Sequence, residues 1–206
     1  MAHIPDGVLS APVLVTGAVV SVGLLVLSLR RLDDDRIPQA AVLSAAFFVS
    51  SLITVPIGPS SVHLLLNGLM GLLLGWMAVP AILVALILQA AFLGYGGLTA
   101  LGVNAMNIML PALLCAVTLR PLLKHPTPRR AWWTGAAAGA LGVLANGVLV
   151  AGTLALSGEA FRPAAQVVAL TFAPLALAEA VISGVVVGFL QRVEPELLAL
   201  RGAADA

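Results

Sequence analysis

Residues 62–93 read VHLLLNGLMGLLLGWMAVPAILVALILQAAFL and contain no Asp, Glu, Lys or Arg. The uncharged stretch extends in both directions, from Ile37 to Leu119, and far exceeds the ~20 residues that one helix needs to cross a bilayer. In the whole chain of 206 residues, 61% are hydrophobic and only 9% are charged. A soluble domain has about 25% charged residues. The composition therefore predicts an integral membrane protein, and apolar runs of this length favour an all-α fold over a barrel of short alternating strands.

Charged residues fall in a few clusters, which we interpret as the loops between membrane spans. Outside the uncharged stretch, the apolar segments long enough to cross are 11–29, 132–156 and 166–190. Pro and Gly residues punctuate residues 37–119 at 56–61, 76–80 and 94–102, which divides this stretch into four further spans. We predict a single domain of seven transmembrane helices, with a leader (1–10), a helix bundle (11–190) and a tail (191–206).

The basic residues predict the orientation. With seven spans, all Lys and Arg residues except Arg162 lie on one side, and that side is the cytoplasm because basic loops stay inside. The N-terminus is then outside and the C-terminus is cytoplasmic, in a multi-pass protein of the cytoplasmic (inner) membrane. The four middle spans average about 16 residues, just below the usual length. We therefore expect the break at 94–102 to dip into the protein interior, as irregular backbone does where protein covers it.

A histidine lies close to the free amine, in the leader MAHIPDG. An amine, deprotonated amide nitrogens and an imidazole can chelate a metal in one plane, a geometry that suits Ni(II) or Cu(II) better than Zn(II). A histidine near a terminus is, on its own, more often a solvated residue. The predicted topology, however, places His63 on the same outer face as His3. The two histidines thus predict a metal site at the outer end of the bundle.

Several other polar residues lie near this face or inside spans. Each has two interpretations, orientation of metal ligands or bonding between helices. We favour bonding between helices, with Asn104 and Asn107 as the exceptions; the residues are Asn67, Gln89, Asn104, Asn107 and Asn146. Asp6 either accepts a histidine N–H or forms a surface turn. Glu179 is the only acid within a span and so a functional candidate, although a place near a partner subunit or the inner surface also fits.

The basic loop that contains Lys124 and His125 predicts no further functional site. Lys124 lacks the glycine-rich segment of a phosphate-binding loop, so this chain is not expected to hydrolyse ATP or to catalyse covalent chemistry. His125 lies in the basic cytoplasmic loop, and we assign it no role. We expect contact with the lipid bilayer and none with nucleic acid.

The chain resembles the substrate-binding membrane subunit of energy-coupling-factor nickel and cobalt transporters. The resemblance covers nearly the whole length and is strongest in the leader HIPDG (3–7), in PSSVHL (59–64) and in GGLTALGVNAMN (96–107). It implies that the leader inserts into the bundle and that the amine, a backbone amide, His3 and His63 hold the metal. It also implies a transmembrane coupling subunit, cytoplasmic ATPase subunits and often a small accessory membrane subunit.

Two alternatives concern the identity of the metal and the residue that supplies the terminal amine. A leader reading HIPDG resembles the nickel branch of the family, so Ni(II) is the expected substrate and Co(II) the alternative. Ala2 separates Met1 from His3, whereas the family's histidine usually follows Met1 directly. If Met1 is removed, Ala2 supplies the amine and His63 completes the ligands; if Met1 stays, the leader already has four nitrogens. Two rival functions are a small-molecule-binding subunit of the same transporter type and a channel or proton-coupled carrier built around Glu179.

Overall fold

The computed structural model describes residues 3–52, 54–57, 60–124 and 127–198, with no account of side-chain burial for 53–62 and 169. Seven α-helices follow one another within these ranges. They are α1 (Ala11–Leu29), α2 (Ile37–Ser50), α3 (Asn67–Leu74), α4 (Ala78–Leu93), α5 (Leu101–Thr118), α6 (Pro128–Ser157) and α7 (Arg162–Val193). Short 3-10 turns join several of them, and one of these, Gly75–Met77, separates α3 from α4.

A β-hairpin occupies the first predicted break. Strands β1 (Thr54–Ile57) and β2 (Ser60–His63) pair antiparallel, with Thr54 opposite His63. The described part of the chain is otherwise helical, so the predicted all-α fold is confirmed apart from this hairpin. Because His63 is the last residue of β2, the hairpin and the extended residues after it carry this histidine into the bundle.

Seven membrane crossings are not confirmed. Among the described residues, five segments are long and apolar enough to cross: Ala11–Leu29, Asn67–Leu93, Leu101–Thr118, Pro128–Ser157 and Glu159–Val193. The count differs because α2 has 14 residues and α3 has 8, which at 1.5 Å per residue reach only ~21 and ~12 Å. An apolar run shows that a segment avoids water, but it does not separate a full crossing from a short buried helix.

Helix α3 lies at the centre of the bundle, with all of its residues buried. It packs against α5 and α6. Gly68 and Gly71 face backbone carbonyls of these neighbours so closely that a Cβ atom would overlap them, and Gly135 and Gly139 face α7 in the same way. The absence of side chains at these positions allows the helices to pack closely, whereas Gly75 lies in the turn after α3 with φ +61°.

The segment expected to dip into the interior does not do so. Leu98 is 80% exposed, and most of residues 94–99 are partly or fully exposed. The buried irregular backbone is instead the stretch after β2, where Leu65 is fully buried. A glycine-rich break and a buried break look alike in sequence, because both interrupt an apolar run.

Candidate metal centre

The two histidines predicted to form a site lie against each other. The ring centroids of His3 and His63 are 5.2 Å apart and the rings are nearly parallel. Both side chains are buried, with exposed fractions of 6% and 4%. Tyr95 stacks beside them, with its ring 5.9 Å from His3 and 6.0 Å from His63. The leader, the hairpin and the loop after α4, which are far apart in sequence, thus meet at one place.

Each imidazole has a buried nitrogen that makes no hydrogen bond with the described residues. This atom is Nε2 in both His3 and His63. In His63, Nδ1 lies 3.0 Å from the carbonyl oxygen of Leu64, an acceptor that requires the proton to be on Nδ1. The tautomer that satisfies this bond leaves the Nε2 lone pair of His63 free to bind a metal.

Burial keeps both imidazoles neutral. It lowers the pKa of His3 to about 3, with the neighbouring His63 as the next cause. It likewise lowers the pKa of His63, against an opposing effect of the hydrogen bond to Leu64. Neutral imidazole is the form that binds metals, so neither ligand has to lose a proton at neutral pH.

Asn104 fixes the leader next to the histidines. Its side-chain oxygen accepts from the backbone N–H of Ile4 at 2.9 Å, and its amide nitrogen donates to the carbonyl oxygen of Ile4 at 3.0 Å. Ile4 itself is 3% exposed and packs in an apolar cluster with Ala100 and Val103. Asn104 therefore positions His3 through the adjacent residue rather than by touching its ring.

Asp6 anchors the other end of the leader. Its Oδ1 accepts from the backbone N–H groups of Thr99 and Ala100, at 3.1 and 3.0 Å, and from the Thr99 hydroxyl at 2.5 Å. These N–H groups stand just before α5, where helix N-termini leave donors unpaired. The hydrogen bond from the Thr99 side chain is the main reason that the pKa of Asp6 is lowered. Among the described residues Asp6 bonds to Thr99 and Ala100 and not to a histidine, in agreement with its interpretation as a turn residue.

Two further amides, Asn67 and Asn107, bond to α6, whereas the buried side chains of Gln89 and Asn146 make no hydrogen bond within the described residues. Asn67 donates to the carbonyl oxygen of Gly142 at 3.1 Å and accepts from the N–H of Gly68, which matches the helix-packing interpretation. Asn107 donates to the Thr153 hydroxyl at 3.4 Å, and its Oδ1 makes no hydrogen bond within the described chain. Met1, Ala2 and His125 lie outside the described residues.

Glu179 supports the backbone that follows His63. This residue of α7 is fully buried, so neither a partner interface nor the inner surface accounts for it. Its Oε1 accepts from the backbone N–H groups of Leu65 and Leu66, the second at 2.9 Å. Leu66 has φ +49°, a left-handed conformation that costs about 1–3 kcal/mol for a residue other than glycine. The carboxylate thus holds in place a strained turn that begins two residues after His63.

Two residues of the site escaped the sequence analysis. Tyr95 carried a usable signal, because it is the only tyrosine of the chain and lies in the glycine-rich break at 94–102. Gly96 has φ +78°, and a Cβ there would lie 2.8 Å from the Asn104 amide and 3.6 Å from His3. A side chain at this position would push the leader away, so Gly96 permits the contact.

Carboxylates do not complete the site among the described residues. No group of three or more His, Cys, Asp or Glu side chains converges in this part of the chain. Two neutral imidazoles offer nitrogen donors of the kind that suits first-row transition metals, unlike the oxygen cages of magnesium or calcium.

These features define a multi-pass membrane protein with a buried nitrogen-donor centre. The family described as "cobalt uptake substrate-specific transmembrane region" matches residues 3–197, and the chain belongs to this family. It is therefore a substrate-specific component for the uptake of cobalt or nickel.

Relatives support this assignment. A putative metal transport protein of Haemophilus influenzae is 37% identical over 198 residues, which cover 95% of this chain and 96% of that protein. The fused nickel transport protein NikMN of Rhodobacter capsulatus is 34% identical over 229 residues, covering 99% of this chain and 66% of that longer protein. The fold also matches the crystal structure of a transition metal transporter, with a TM-score of 0.68, 24% identity and 93% coverage of both chains.

Proposed function

We propose that this chain is the metal-capturing subunit of an ATP-driven energy-coupling-factor importer of the cytoplasmic (inner) membrane, and that its substrate is Ni(II). The observation that carries the proposal is the stacked pair His3 and His63, whose buried Nε2 atoms have no hydrogen-bond partner among the described residues. A buried polar nitrogen without a hydrogen-bond partner is unfavourable. A metal ion bound to Nε2, directly or after the ring rotates toward the ion, removes that cost.

The proposed ligands are the terminal amine, one or two backbone amides of the leader, His3 and His63. Asn104 bonds to Ile4 and Asp6 bonds to Thr99, which holds the described part of the leader so that His3 lies against His63. Planar nitrogen coordination favours Ni(II) and Cu(II). The amide nitrogens must lose protons to bind, so affinity should fall as the pH is lowered.

The direction of transport follows from the predicted orientation, with the leader outside and the tail in the cytoplasm. Nickel is captured from the outer side and released inward when partner ATPase subunits act through a transmembrane coupling subunit. A small accessory membrane subunit is a further expected partner. The chain itself catalyses no covalent step, and we assign ATP hydrolysis to its partners.

Cobalt is the second candidate substrate, because the family description names cobalt while the name of the Rhodobacter capsulatus relative specifies nickel. The leader HIPDG favours nickel by resemblance. Purified chain with a free N-terminus should bind both ions, and it should bind nickel more tightly in a direct competition titration.

A blocked amine tests the ligand set. A version with an N-terminal extension should lose nickel binding, whereas one with the same extension at the C-terminus should keep it, because only the first removes the amine from the site. Tight nickel binding by the N-terminally extended protein would refute the amine as ligand. Metal binding absent from both versions would favour a small-molecule substrate instead.

A further inference from the structure

A second polar site lies apart from the histidine pair, where several helices end. It is a cleft of about 420 Å³ lined by three arginines, Asp33 and the turn between α3 and α4. The arginines come from two connections: Arg31 and Arg36 lie between α1 and α2, and Arg120 follows α5. Both α1 and α5 are candidate membrane spans, so the cleft lies at the level where lipid headgroups would meet the protein.

The positive charge of this cleft is poorly neutralised. Asp33 is its only acid, and the one ion pair among the described residues, Arg162 with Glu159, lies elsewhere. Arg36 donates to the carbonyl oxygen of Leu73 at 2.6 Å and to Gln39, so part of its guanidinium is satisfied. Burial and the nearby Arg36 lower the pKa of Arg120 to about 10. Arg120 therefore stays charged at neutral pH and repels a like charge, and it forms no ion pair with a carboxylate in the described part of the chain.

Trp76 and Gly75 determine where two of the arginine side chains lie. The Arg31 guanidinium lies 4.5 Å from the centroid of the Trp76 ring, which fixes that charge at the rim. A Cβ at Gly75 would overlap the Arg120 guanidinium, so the absence of a side chain there makes room for it. Three guanidinium groups that line one cleft supply the planar donors from which phosphate oxygens accept.

An apolar groove continues from the arginine cleft. It has a volume of about 360 Å³ and runs between α2 and α4, with Met77 lining both the groove and the cleft. Its entrance is formed by Leu32 and Ile37, the neighbours of Arg31 and Arg36, and its walls include Ala41, Ala45 and Val84. A cationic head site that opens into an apolar channel has the two-part chemistry of a phospholipid.

We propose that this surface binds an anionic glycerophospholipid, with the headgroup phosphate among Arg31, Arg36 and Arg120 and one acyl chain in the groove between α2 and α4. The continuity of the cleft with the groove distinguishes a lipid from free phosphate, which would use the arginines alone. It also distinguishes a lipid from an acidic protein segment, which would not need the groove. The lipid completes the surface beside α2, the helix too short to cross the bilayer.

Native mass spectrometry of the full chain in detergent tests the proposal, with titration of dioleoyl phosphatidylglycerol against dioleoyl phosphatidylcholine. We expect tighter binding of the anionic lipid and a loss of about tenfold or more in Arg120→Gln, because a charge-assisted hydrogen bond is removed. Arg162→Gln is the matched control, since it removes a paired arginine outside the cleft, and it should bind like wild type. Equal binding of both lipids, or unchanged binding by Arg120→Gln, would overturn the proposal.

The acyl chain needs its own test. Ala45→Phe fills the groove from an exposed position and leaves every arginine in place, so it should weaken phosphatidylglycerol binding several-fold. Inorganic phosphate should compete only at far higher concentration than the lipid. Inorganic phosphate that competes as well as the lipid, together with unaltered binding by Ala45→Phe, would show an oxyanion site without a lipid and overturn the proposal.

Discussion

At the scale of single residues, the proposed metal binding requires two imidazoles that are neutral and whose nitrogen lone pairs are free. Burial lowers the pKa of both histidines, and the Leu64 carbonyl directs the proton of His63 to Nδ1. A metal that arrives therefore meets lone pairs rather than charges. Because folding opposes protonation of these histidines, the protein should lose folding stability in acid. This loss can be measured without any metal.

The metal-free protein should lose stability in acid. A pKa lowered on folding contributes stability that is present above the unfolded value near 6.5 and is lost as the pH falls toward the folded value, about 3 for His3. The limiting slope is about 1.4 kcal/mol per pH unit for each such group. Thermal unfolding from pH 7 to pH 4 should show this loss in wild type and much less of it in a His3→Gln, His63→Gln double variant. Parallel curves for the two proteins would contradict the burial of neutral histidines.

Substitutions of Glu179 distinguish a side chain that positions the backbone from one that carries protons. Glutamine keeps an oxygen that accepts from Leu65 and Leu66, so Glu179→Gln should bind nickel nearly as wild type does. Glu179→Leu leaves two buried N–H groups without an acceptor, at about 1–3 kcal/mol each, and should lose stability and nickel together. If Glu179→Gln abolished transport while nickel binding persisted, the carrier built around Glu179 would be the better account.

At the scale of elements, the leader behaves as a ligand-bearing arm clamped by α5. Two hydrogen bonds from Asn104 and three to Asp6 hold a segment without regular secondary structure. The two bonds between Asn104 and Ile4 contribute about 1 kcal/mol each, and the bonds to Asp6 attach the leader at a second point. Together they bias the leader toward the site.

Removing the Asn104 clamp should weaken metal binding without unfolding the bundle. Asn104→Ala loses both bonds to Ile4, and we expect about a tenfold loss of nickel affinity, with faster hydrogen exchange confined to the leader. Asn67→Ala is the informative comparison: its bonds join α3 to α6, so it should lower overall stability instead. A leader equally protected in wild type and Asn104→Ala would argue against the clamp.

At the scale of the whole molecule, the sequence predicted the outer spans well and the middle poorly. The span 11–29 coincides with α1, and 132–156 and 166–190 lie within α6 and α7. The predicted breaks fall at the hairpin, at the Gly75–Met77 turn and before α5, because Pro and Gly mark such interruptions directly. The lengths between breaks were not predictable, since α3 is apolar through burial in protein rather than through contact with lipid.

The residues of the candidate site were likewise predicted only in part. His3, His63, Asp6 and Asn104 were identified by type and by membrane side, and the structure brings the two histidines together and makes the other two residues anchors of the leader. The partner that each anchor binds depends on how the glycine-rich loop folds over the leader, and no periodicity encodes that contact. Tyr95 was missed because an aromatic residue in a loop has no spacing pattern to reveal it.

The predicted orientation has a direct test. In a Cys115→Ala background, Ala160→Cys in the turn between α6 and α7 should react with an impermeant maleimide added to whole cells. Asp34→Cys, in the turn between α1 and α2, should react only after permeabilisation. The native Cys115 is fully buried, so its replacement should be mild. The reverse labelling pattern would invert the topology and the direction of capture.

The central claim, that the leader and His63 form one nickel site, is tested most directly by metal content. Protein with a free N-terminus should be loaded with nickel, purified and analysed for nickel per chain, alongside His63→Ala, with the intact mass of both recorded. We predict about one nickel per wild-type chain and almost none in His63→Ala, with a mass that identifies Met1 or Ala2 as the terminal residue. Equal nickel in the two proteins would contradict the account, because it would place the whole site in the leader.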